Sequence, residues 1–153
     1  MMIVPPKELV LMQGIPGSGK STVARNLRDA WKNSPLNADY STEIFSTDEY
    51  WFEKGVYRFD PAKSGQAHQW NQLRTLDAMQ YCVNWICIEN TNIQKWQAQP
   101  YLVLAKLFNY KVQVVTVSCG LDEALSRNAQ RDFDRQVPEA TVRQMYADLE
   151  PLL

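Results

Sequence analysis

The chain has 153 residues, of which 45% are hydrophobic and 22% are charged. A chain of this size and composition can bury a sizeable core, which argues against a disordered or fibrous protein. We therefore expect residues 1–153 to form a single domain. Sixteen Lys and Arg residues against 17 Asp and Glu residues leave a net charge of −1, which excludes a broadly basic surface that binds nucleic acid non-specifically.

The cysteines and the N-terminal segment indicate a reducing compartment. Cys82, Cys87 and Cys119 are an odd number without C-x-x-C spacing, which favours reduced structural thiols over disulfides or a zinc site. Two prolines and an acidic residue interrupt residues 1–8 before any run suited to a signal peptide, and no apolar run approaches the roughly 20 residues of a membrane span. These features predict a cytoplasmic protein (host cytoplasm for a phage protein) without membrane association, and no pattern indicates a protein partner.

Short apolar runs alternate with helical patterns along the chain. The predicted strands are residues 9–12, 44–45, 85–88 and 112–117, and the predicted helices are residues 20–31, 61–83, 94–109, 121–131 and 138–149. Pro61 and Pro138 suit the first turns of their helices. This alternation predicts an α/β fold whose parallel sheet is covered by helices on both faces. Residues 49–60 are rich in aromatic and charged side chains, and we expect them to form an excursion beyond the sheet edge.

A phosphate-binding loop gives the strongest signal in the sequence. Gly14-Ile15-Pro16-Gly17-Ser18-Gly19-Lys20-Ser21 fits G-x-x-x-x-G-K-[ST] and lies between a predicted strand and a predicted helix, the context that the pattern requires. Small residues allow backbone N–H groups to surround a phosphate, and the helix adds its positive N-terminal end. Lys20 is predicted to bind the β- and γ-phosphates, and Ser21 to bind Mg²⁺. The predicted nucleotide-binding residues of this loop are Gly14, Pro16, Gly17, Ser18, Gly19, Lys20, Ser21 and Thr22.

Asp48 is the candidate general base. It follows the second predicted strand, and in open parallel sheets ligands gather at the carboxyl ends of the strands. A carboxylate there could accept the proton of an attacking hydroxyl. Alternatively, Ser46 and Glu49 form an S-x-x-E capping box, and Asp48 merely favours a helix N-terminus.

The end of the third predicted strand carries a second polar group. Glu89 or Asn90 could hold Mg²⁺ directly or through water. Asn92 could instead cap the helix that starts near residue 94, and both interpretations can hold at once.

Three arginines recur every four residues near the C-terminus. If the segment is helical, Arg127, Arg131 and Arg135 share one face, and such a stripe could close over phosphates as a lid. The alternative is a solvated helix face in which Glu123 and Arg127 pair at i, i+4.

Several segments, in order and in spacing, resemble the polynucleotide kinase family of P-loop phosphotransferases. They are residues 14–22, 46–50, 67–71, 89–92, 100–101, 127–131 and 137–138. The resemblance covers about residues 8–150 and implies a P-loop kinase fold, with a four-stranded parallel sheet, flanking helices and a helical lid. It also implies ATP and Mg²⁺ as cofactors, and transfer of the γ-phosphate to a hydroxyl of nucleic acid, most simply the 5′-hydroxyl of RNA or DNA.

The resemblance also implies roles for single residues. Lys20 and Ser21 match nucleotide-site residues, Asp48 matches the general base, and Arg127 and Arg131 match lid arginines that bind the nucleotide. The predicted catalytic residues are therefore Lys20, Asp48 and Arg131, and the metal site predicted from the loop and the end of the third strand comprises Ser21 and, through water, Glu89.

The acceptor side departs from the family pattern. End-specific phage kinases carry an arginine three residues after the base to hold the acceptor's 3′-side phosphate, whereas this chain has Trp51. The neighbouring aromatic residues could stack a nucleobase, or they could only pack the loop onto the sheet. Residues 39–60 hold two Lys and Arg against six Asp and Glu, a net charge of −4 that opposes a polyanion. This aromatic cluster comprises Tyr50, Trp51, Phe52, Tyr57 and Phe59.

A predicted helix offers further candidates for acceptor binding. His68, Asn71 and Arg74 fall at i, i+3 and i+6 on one side of the helix, where they could bind an acceptor phosphate or serve a structural role. The predicted substrate-binding residues are Asp48, Trp51, His68, Asn71, Arg74, Asn90 and Asn92.

Other functions remain compatible with these residues. The aromatic cluster motivates phosphorylation of the hydroxymethyl group of hydroxymethyluracil within phage DNA, since an enzyme acting on an internal base must extract that base from the stack. A nucleotide-binding module or regulatory ATPase is an alternative of another class. A nucleoside or small-molecule kinase is open too, because the net charge requires no polymer substrate.

Overall fold

In the computed structural model, which describes residues 4–153, a parallel sheet lies between two layers of helices. The strands are β1 (Glu8–Gln13), β2 (Thr42–Phe45), β3 (Phe52–Glu53), β4 (Val56–Tyr57), β5 (Trp85–Ile88) and β6 (Lys111–Thr116). The helices are α1 (Lys20–Asn33), α2 (Ser64–Gln80), α3 (Lys95–Leu107), α4 (Leu121–Ala129) and α5 (Glu139–Asp148). Short 3₁₀ turns cover Thr47–Trp51, Pro61–Lys63 and Phe133–Arg135.

The four-stranded sheet has the order β2-β5-β1-β6, and all of its neighbours are parallel. β1 is a central strand, in which Leu11 lies opposite Ile88 of β5 and Val114 of β6. The carboxyl ends of β1, β2 and β5 therefore meet at one edge of the sheet. The loops that follow these strands carry the predicted site residues.

The core lies on both faces of the sheet, because successive side chains of a strand point to opposite sides. Leu9 and Leu11 of β1 pack in a cluster with residues of α2 and α3. Val10 and Met12 pack in a second cluster with residues of α1. This arrangement confirms the predicted α/β fold, a parallel sheet covered on both faces.

The hairpin of β3 and β4 was not predicted. Its two-residue strands pair antiparallel, with Phe52 opposite Tyr57. Lys54 and Gly55 turn the chain between them, with φ angles of 51° and 79° respectively. The expected excursion of residues 49–60 therefore has a defined form, a 3₁₀ turn followed by a small hairpin.

The predicted helix over residues 121–131 ends earlier, at Ala129. The side chain of Asn128 pairs with the backbone of Val137, donating to the carbonyl at 2.6 Å and accepting from the N–H at 3.0 Å. This pairing folds the chain back after α4. The prediction of one continuous arginine face is therefore wrong, because Arg131 lies beyond α4 and Arg135 lies in a 3₁₀ turn.

The C-terminal tail packs behind the phosphate-binding loop. Leu152 is buried in the cluster that contains α2 and α3, and the Gln13 side chain donates to the Glu150 carbonyl. None of the helices within residues 4–153 combines the length and the apolar character that a membrane span requires.

Candidate active site

The loop between β1 and α1 has the backbone geometry of a phosphate cradle. Gly17 and Gly19 have φ angles of 82° and 96°, in the left-handed region that favours glycine. A Cβ atom on Gly17 would lie 2.4 Å from the carbonyl oxygen of Ala124 in α4. Of the eight predicted loop residues, Pro16, Lys20 and Ser21 line a cavity beside the loop, whereas Gly14, Gly17, Ser18, Gly19 and Thr22 do not. A Cβ on Gly14 would meet the Ser18 hydroxyl at 2.7 Å, and Thr22 is exposed.

Two buried polar groups of this loop fit a phosphate ligand. The hydroxyl of Ser18 is buried and has no hydrogen-bond partner within residues 4–153, and such groups in proteins are normally paired. The ammonium group of Lys20 donates to the Ile15 carbonyl at 3.1 Å and is otherwise enclosed. Burial lowers the pKa of Lys20 to about 8, partly opposed by the charges of Glu89 and Asp48. A phosphate oxygen would satisfy both groups.

A hydroxyl and a carboxylate beside the loop fit a magnesium ion. The Ser21 hydroxyl donates to Glu89 Oε1 at 3.1 Å. Burial raises the pKa of Glu89, while the Lys20 charge and the Ser21 hydrogen bond lower it. Oxygen ligands of this kind suit Mg²⁺, which usually keeps several waters and binds substrate phosphates. Within the described part of the chain no three His, Cys, Asp or Glu side chains cluster as a metal site, so phosphates and water would supply the remaining ligands.

The predicted capping box is present, and it does not use the Asp48 carboxylate. The Ser46 side chain accepts from the Asp48 N–H at 3.3 Å, and the Ser46 N–H donates to Glu49 Oε1 at 3.1 Å. Both interpretations of this segment are therefore compatible, because the cap uses Ser46 and Glu49 while the Asp48 carboxylate faces the cavity. Asn90 holds the same turn by accepting from the Thr47 N–H at 2.9 Å.

A cavity of about 810 Å³ brings the predicted groups together. This volume is within the range of small-molecule sites. The charges of Glu89, Arg131 and Asp48 all act on the pKa of Lys20, so these groups share one electrostatic environment. Residues at the cavity wall include Pro16, Lys20, Ser21, Thr47, Asp48, Trp51, Phe52, Tyr57, Phe59, His68, Glu89, Asn90, Arg131 and Arg135.

His68 lines the cavity, where its uncharged imidazole can accept or donate a hydrogen bond. Its Nδ1 atom is 3.5 Å from the Thr47 hydroxyl. Burial lowers the pKa of His68, although the Asp48 charge raises it, so the imidazole is uncharged at neutral pH. A neutral ring can orient a substrate by hydrogen bonding, but it adds no positive charge.

Three predicted substrate-binding residues lie away from the cavity, which corrects the prediction. Asn71 is fully buried and donates to the Tyr101 hydroxyl at 2.9 Å. Arg74 donates to the Ser46 carbonyl and to Glu49, so it braces the turn that carries Asp48. Asn92 donates to the Met12 carbonyl at 2.8 Å, and the N-cap of α3 is Gln94 rather than Asn92. These three side chains therefore form hydrogen bonds within the protein instead of facing the cavity.

Trp51 borders the cavity without offering a free ring face. Its side chain is 5% exposed and makes edge contacts with Tyr50 and Phe59, with both pairs of ring centroids 5.0 Å apart. Trp51 therefore packs the loop against its aromatic neighbours and is not free to stack on a nucleobase. Phe52 and Phe59 are the more open aromatic residues there, at 44% and 55% exposure.

The two lid arginines that the resemblance implies differ in placement. Arg131 lines the cavity, whereas Arg127 does not line it and contacts the phosphate-binding loop. Arg127 donates to the Gly17 carbonyl at 3.3 Å and pairs with Glu123 at i, i+4. Arg127 therefore forms the predicted surface ion pair with Glu123 and also contacts the phosphate-binding loop at Gly17.

Tyr57 was not predicted as a site residue beyond its place in the aromatic cluster. It lines the cavity together with Asp48, and the pKa of Tyr57 is raised by burial first and then by the Asp48 charge. The Lys-Gly pair at residues 54–55 is the signal that could have revealed the hairpin carrying it.

Comparison with known proteins gives the family. The sequence profile of a family described as the AAA domain matches residues 9–152. NEDD4-binding protein 2 from Homo sapiens is 43% identical over 104 residues, which are 68% of this chain. The match spans only 5% of that much longer protein.

Solved structures show the same fold at low sequence identity. Kti12 from Chaetomium thermophilum, in complex with ADP-AlF3, has a TM-score of 0.67 at 16% identity, covering 94% of this chain and 80% of its own. A chain of the Pnkp1/Rnl/Hen1 RNA repair complex has a TM-score of 0.69 at 15% identity, covering 97% and 45%. A gluconokinase from Sinorhizobium meliloti 1021 has a TM-score of 0.58 at 12% identity, covering 97% and 78%.

These matches confirm the resemblance to P-loop phosphotransferases and the predicted fold class. The parallel sheet, the glycine-rich loop and the flanking helices form a nucleotide-binding fold of the P-loop kinase type. The chain therefore belongs to the AAA domain family whose profile spans residues 9–152.

Proposed function

We propose that this protein is an ATP-dependent kinase that transfers the γ-phosphate to a hydroxyl of a nucleic acid, most simply the 5′-hydroxyl end of RNA or DNA. The observation that carries the proposal is the Asp48 carboxylate, which lines one cavity together with Lys20 and Glu89. A general base, a phosphate-binding lysine and a carboxylate suited to Mg²⁺ are the groups that transfer to an alcohol needs. A nucleotide-binding module would need no base at this position.

The proposed reaction is a single displacement. Asp48 accepts the proton of the acceptor hydroxyl while the hydroxyl oxygen forms a bond to the γ-phosphorus. The bond from that phosphorus to the β–γ bridging oxygen breaks, and ADP leaves with the electron pair. Lys20 and Arg131 offset the charge that spreads over the transferred group. Mg²⁺, held at Ser21 and through water at Glu89, would offset charge on the β- and γ-phosphates.

The fold-level similarity to a chain of an RNA repair complex supports a nucleic-acid acceptor. The cavity also supports it, because its two arginines, Arg131 and Arg135, supply positive charge beside the acidic side chains that also line it. An acceptor with its own phosphates would meet these side chains.

The test is label transfer from γ-labelled ATP with Mg²⁺. The acceptors are 5′-hydroxyl RNA, 5′-hydroxyl DNA, 5′-phosphorylated DNA containing hydroxymethyluracil, and free nucleosides. We expect label on the 5′-hydroxyl ends and a loss of about 10²- to 10⁴-fold in Asp48→Asn, the usual contribution of a general base. Asp77→Asn, at an exposed carboxylate of α2, is the matched control. Full activity of Asp48→Asn would show that Asp48 is not the general base.

One observation favours a second acceptor. Phe52 and Phe59 expose ring area at the cavity that holds Asp48, so an extracted base could lie between apolar faces. Label confined to the hydroxymethyluracil DNA would replace the end kinase with a base kinase. Consumption of ATP without label on any acceptor would indicate a regulatory ATPase instead.

A further inference from the structure

The guanidinium group of Arg135 lies over two aromatic rings at the cavity. It is 5.3 Å from the ring centroid of Phe52 and 5.2 Å from that of Tyr57. These rings belong to the hairpin, whereas Arg135 belongs to the segment after α4. Their contact therefore joins two elements that both line the cavity.

This arrangement leaves the hydrogen-bond donors of Arg135 available. Within residues 4–153, Arg135 forms no ion pair with an Asp or Glu side chain and its guanidinium donates no hydrogen bond. A cation over an aromatic face interacts through the flat surface of the guanidinium, while its N–H groups point outward in the plane. Those in-plane donors match two oxygens of a phosphate.

The hairpin places Arg135 on the Asp48 side of the cavity. The turn of Thr47–Trp51, which carries Asp48, runs directly into β3, and the rings of Phe52 and Tyr57 on this hairpin carry Arg135. Asp48, Phe52, Tyr57 and Arg135 all line the cavity. Arg135 therefore lies on the side of the cavity that carries the proposed general base.

The other residues that could bind an acceptor phosphate are uncharged or already form contacts within the protein. Trp51 carries no charge and is packed between aromatic neighbours. Arg74 donates to Ser46 and Glu49. His68 is neutral at the pH of a kinase assay.

We propose that Arg135, held on the rings of Phe52 and Tyr57, binds the phosphodiester on the 3′ side of the acceptor nucleotide. The inference rests on the proposed function, and it names the residue by which the site selects nucleic-acid ends over free nucleosides. Phe52 and Tyr57 act as positioning residues for the guanidinium.

The test pairs a change in the protein with a change in the substrate. The substrates are two 5′-hydroxyl oligonucleotides that differ only in the first linkage, which is a phosphodiester or a neutral methylphosphonate. The proteins are the wild type, Arg135→Ala, Arg135→Lys and the control Arg143→Ala. Arg143 is an exposed arginine of α5 that pairs with Glu139 away from the cavity. Thermal unfolding confirms that each variant is folded.

We expect the wild type to lose about 10- to 100-fold in kcat/KM on the methylphosphonate, the range of a hydrogen bond to a charged group. Arg135→Ala should lose the same factor on the phosphodiester and little more on the methylphosphonate. Arg135→Lys should fall in between, because it keeps the charge but not the planar fork, and Arg143→Ala should match the wild type.

Two failures are distinguishable. A wild-type protein that labels neither oligonucleotide would overturn the proposed function and this inference together. If the wild type labels both and Arg135→Ala loses equal factors on both, or loses nothing, only the role of Arg135 is overturned. An equal loss would be the mark of a merely structural residue.

Discussion

The hydroxyl of Ser21 donates a 3.1 Å hydrogen bond to Glu89, and this contact joins the first turn of α1 to the end of β5. The two residues are far apart in sequence, but β1 and β5 are neighbours in the sheet. Their oxygen atoms meet beside Lys20, where the β- and γ-phosphates of a nucleotide would lie. This pair is therefore the natural place to test the predicted magnesium site.

Glu89→Gln should lower activity while raising stability. We expect kcat to fall about 10- to 100-fold, the usual cost of losing a group that orients a metal, with more Mg²⁺ needed for half-maximal rate. Burial raises the pKa of Glu89 above 4.5, so folding favours the protonated form. The stability contributed by that form is present below pH 4.5 and is lost as pH rises through the folded pKa.

At pH 8 the buried carboxylate therefore opposes folding, and Glu89→Gln should raise the free energy of unfolding by about 0.5–2 kcal/mol. Below pH 4.5 the difference from the wild type should vanish. Thermal unfolding at both pH values checks this. A variant that is less stable at pH 8 would show that the carboxylate's attraction to Lys20 outweighs its burial.

Nucleotide binding should draw a proton onto Lys20. Because burial lowers the pKa of Lys20 to about 8, roughly half of the free protein carries a neutral amine at pH 8. Phosphates favour the charged form, so binding raises this pKa and takes up about half a proton. Calorimetry of ATP binding in two buffers with different ionisation enthalpies measures the uptake, and Lys20→Met should show none. Binding enthalpies that do not depend on the buffer would contradict the prediction.

Gly17→Ala should disable the phosphate-binding loop, whereas Gly55→Ala should not. Both glycines have positive φ, which costs an alanine about 1–2 kcal/mol. At Gly17 the new Cβ would also lie 2.4 Å from the Ala124 carbonyl, but at Gly55 nothing lies within 4 Å. We expect Gly17→Ala to weaken nucleotide binding more than 10-fold, measured by titration, and to lower the Tm further than Gly55→Ala. Equal effects would mean that the contact with α4 does not constrain the loop.

Arg74→Ala should reduce both stability and turnover without changing substrate preference. Arg74 donates to the Ser46 carbonyl and to Glu49, and its loss should cost about 2–3 kcal/mol of unfolding free energy. The loosened turn carries Asp48, so kcat should fall too. The ratio of kcat/KM between phosphodiester and methylphosphonate acceptors should stay at the wild-type value, with Arg28→Ala, at a partly exposed ion pair of α1, as the control. A ratio close to one in Arg74→Ala would show that Arg74 binds the acceptor phosphate and would contradict its role in supporting the turn.

The parts of the fold that the sequence predicts well are those with local causes. The glycine pattern of residues 14–19 and the apolar run of β5 each give a clear signal within a few consecutive residues, the first for a phosphate-binding turn and the second for a buried strand. Arg74 was misplaced because helical spacing identifies the residues of one face, not the element that covers it. On that face of α2, His68 does line the cavity, but Arg74 contacts the turn of residues 47–51 and Asn71 contacts Tyr101 of α3. These contacts depend on how the elements pack in the fold, and helical spacing in the sequence does not show them.

Two other differences have physical reasons as well. Strands of two residues, such as β3 and β4, are too short to show an alternating pattern. The early end of α4 depends on Asn128 binding the backbone of Val137, nine residues away. Neither propensity nor spacing contains that contact. The cavity wall formed by Tyr57 and Arg135 follows from these two features, which is why the acceptor side was harder to predict than the nucleotide side.

The central place of β1 in the sheet has a consequence for the order in which the protein can fold. Both of its partners come later in the chain, β5 at residues 85–88 and β6 at residues 111–116. During synthesis the nucleotide loop therefore emerges early, but the strand that supports it stays unpaired until the second half of the chain is available. We therefore expect a nascent chain that has not reached β6 to lack a stably supported phosphate-binding loop.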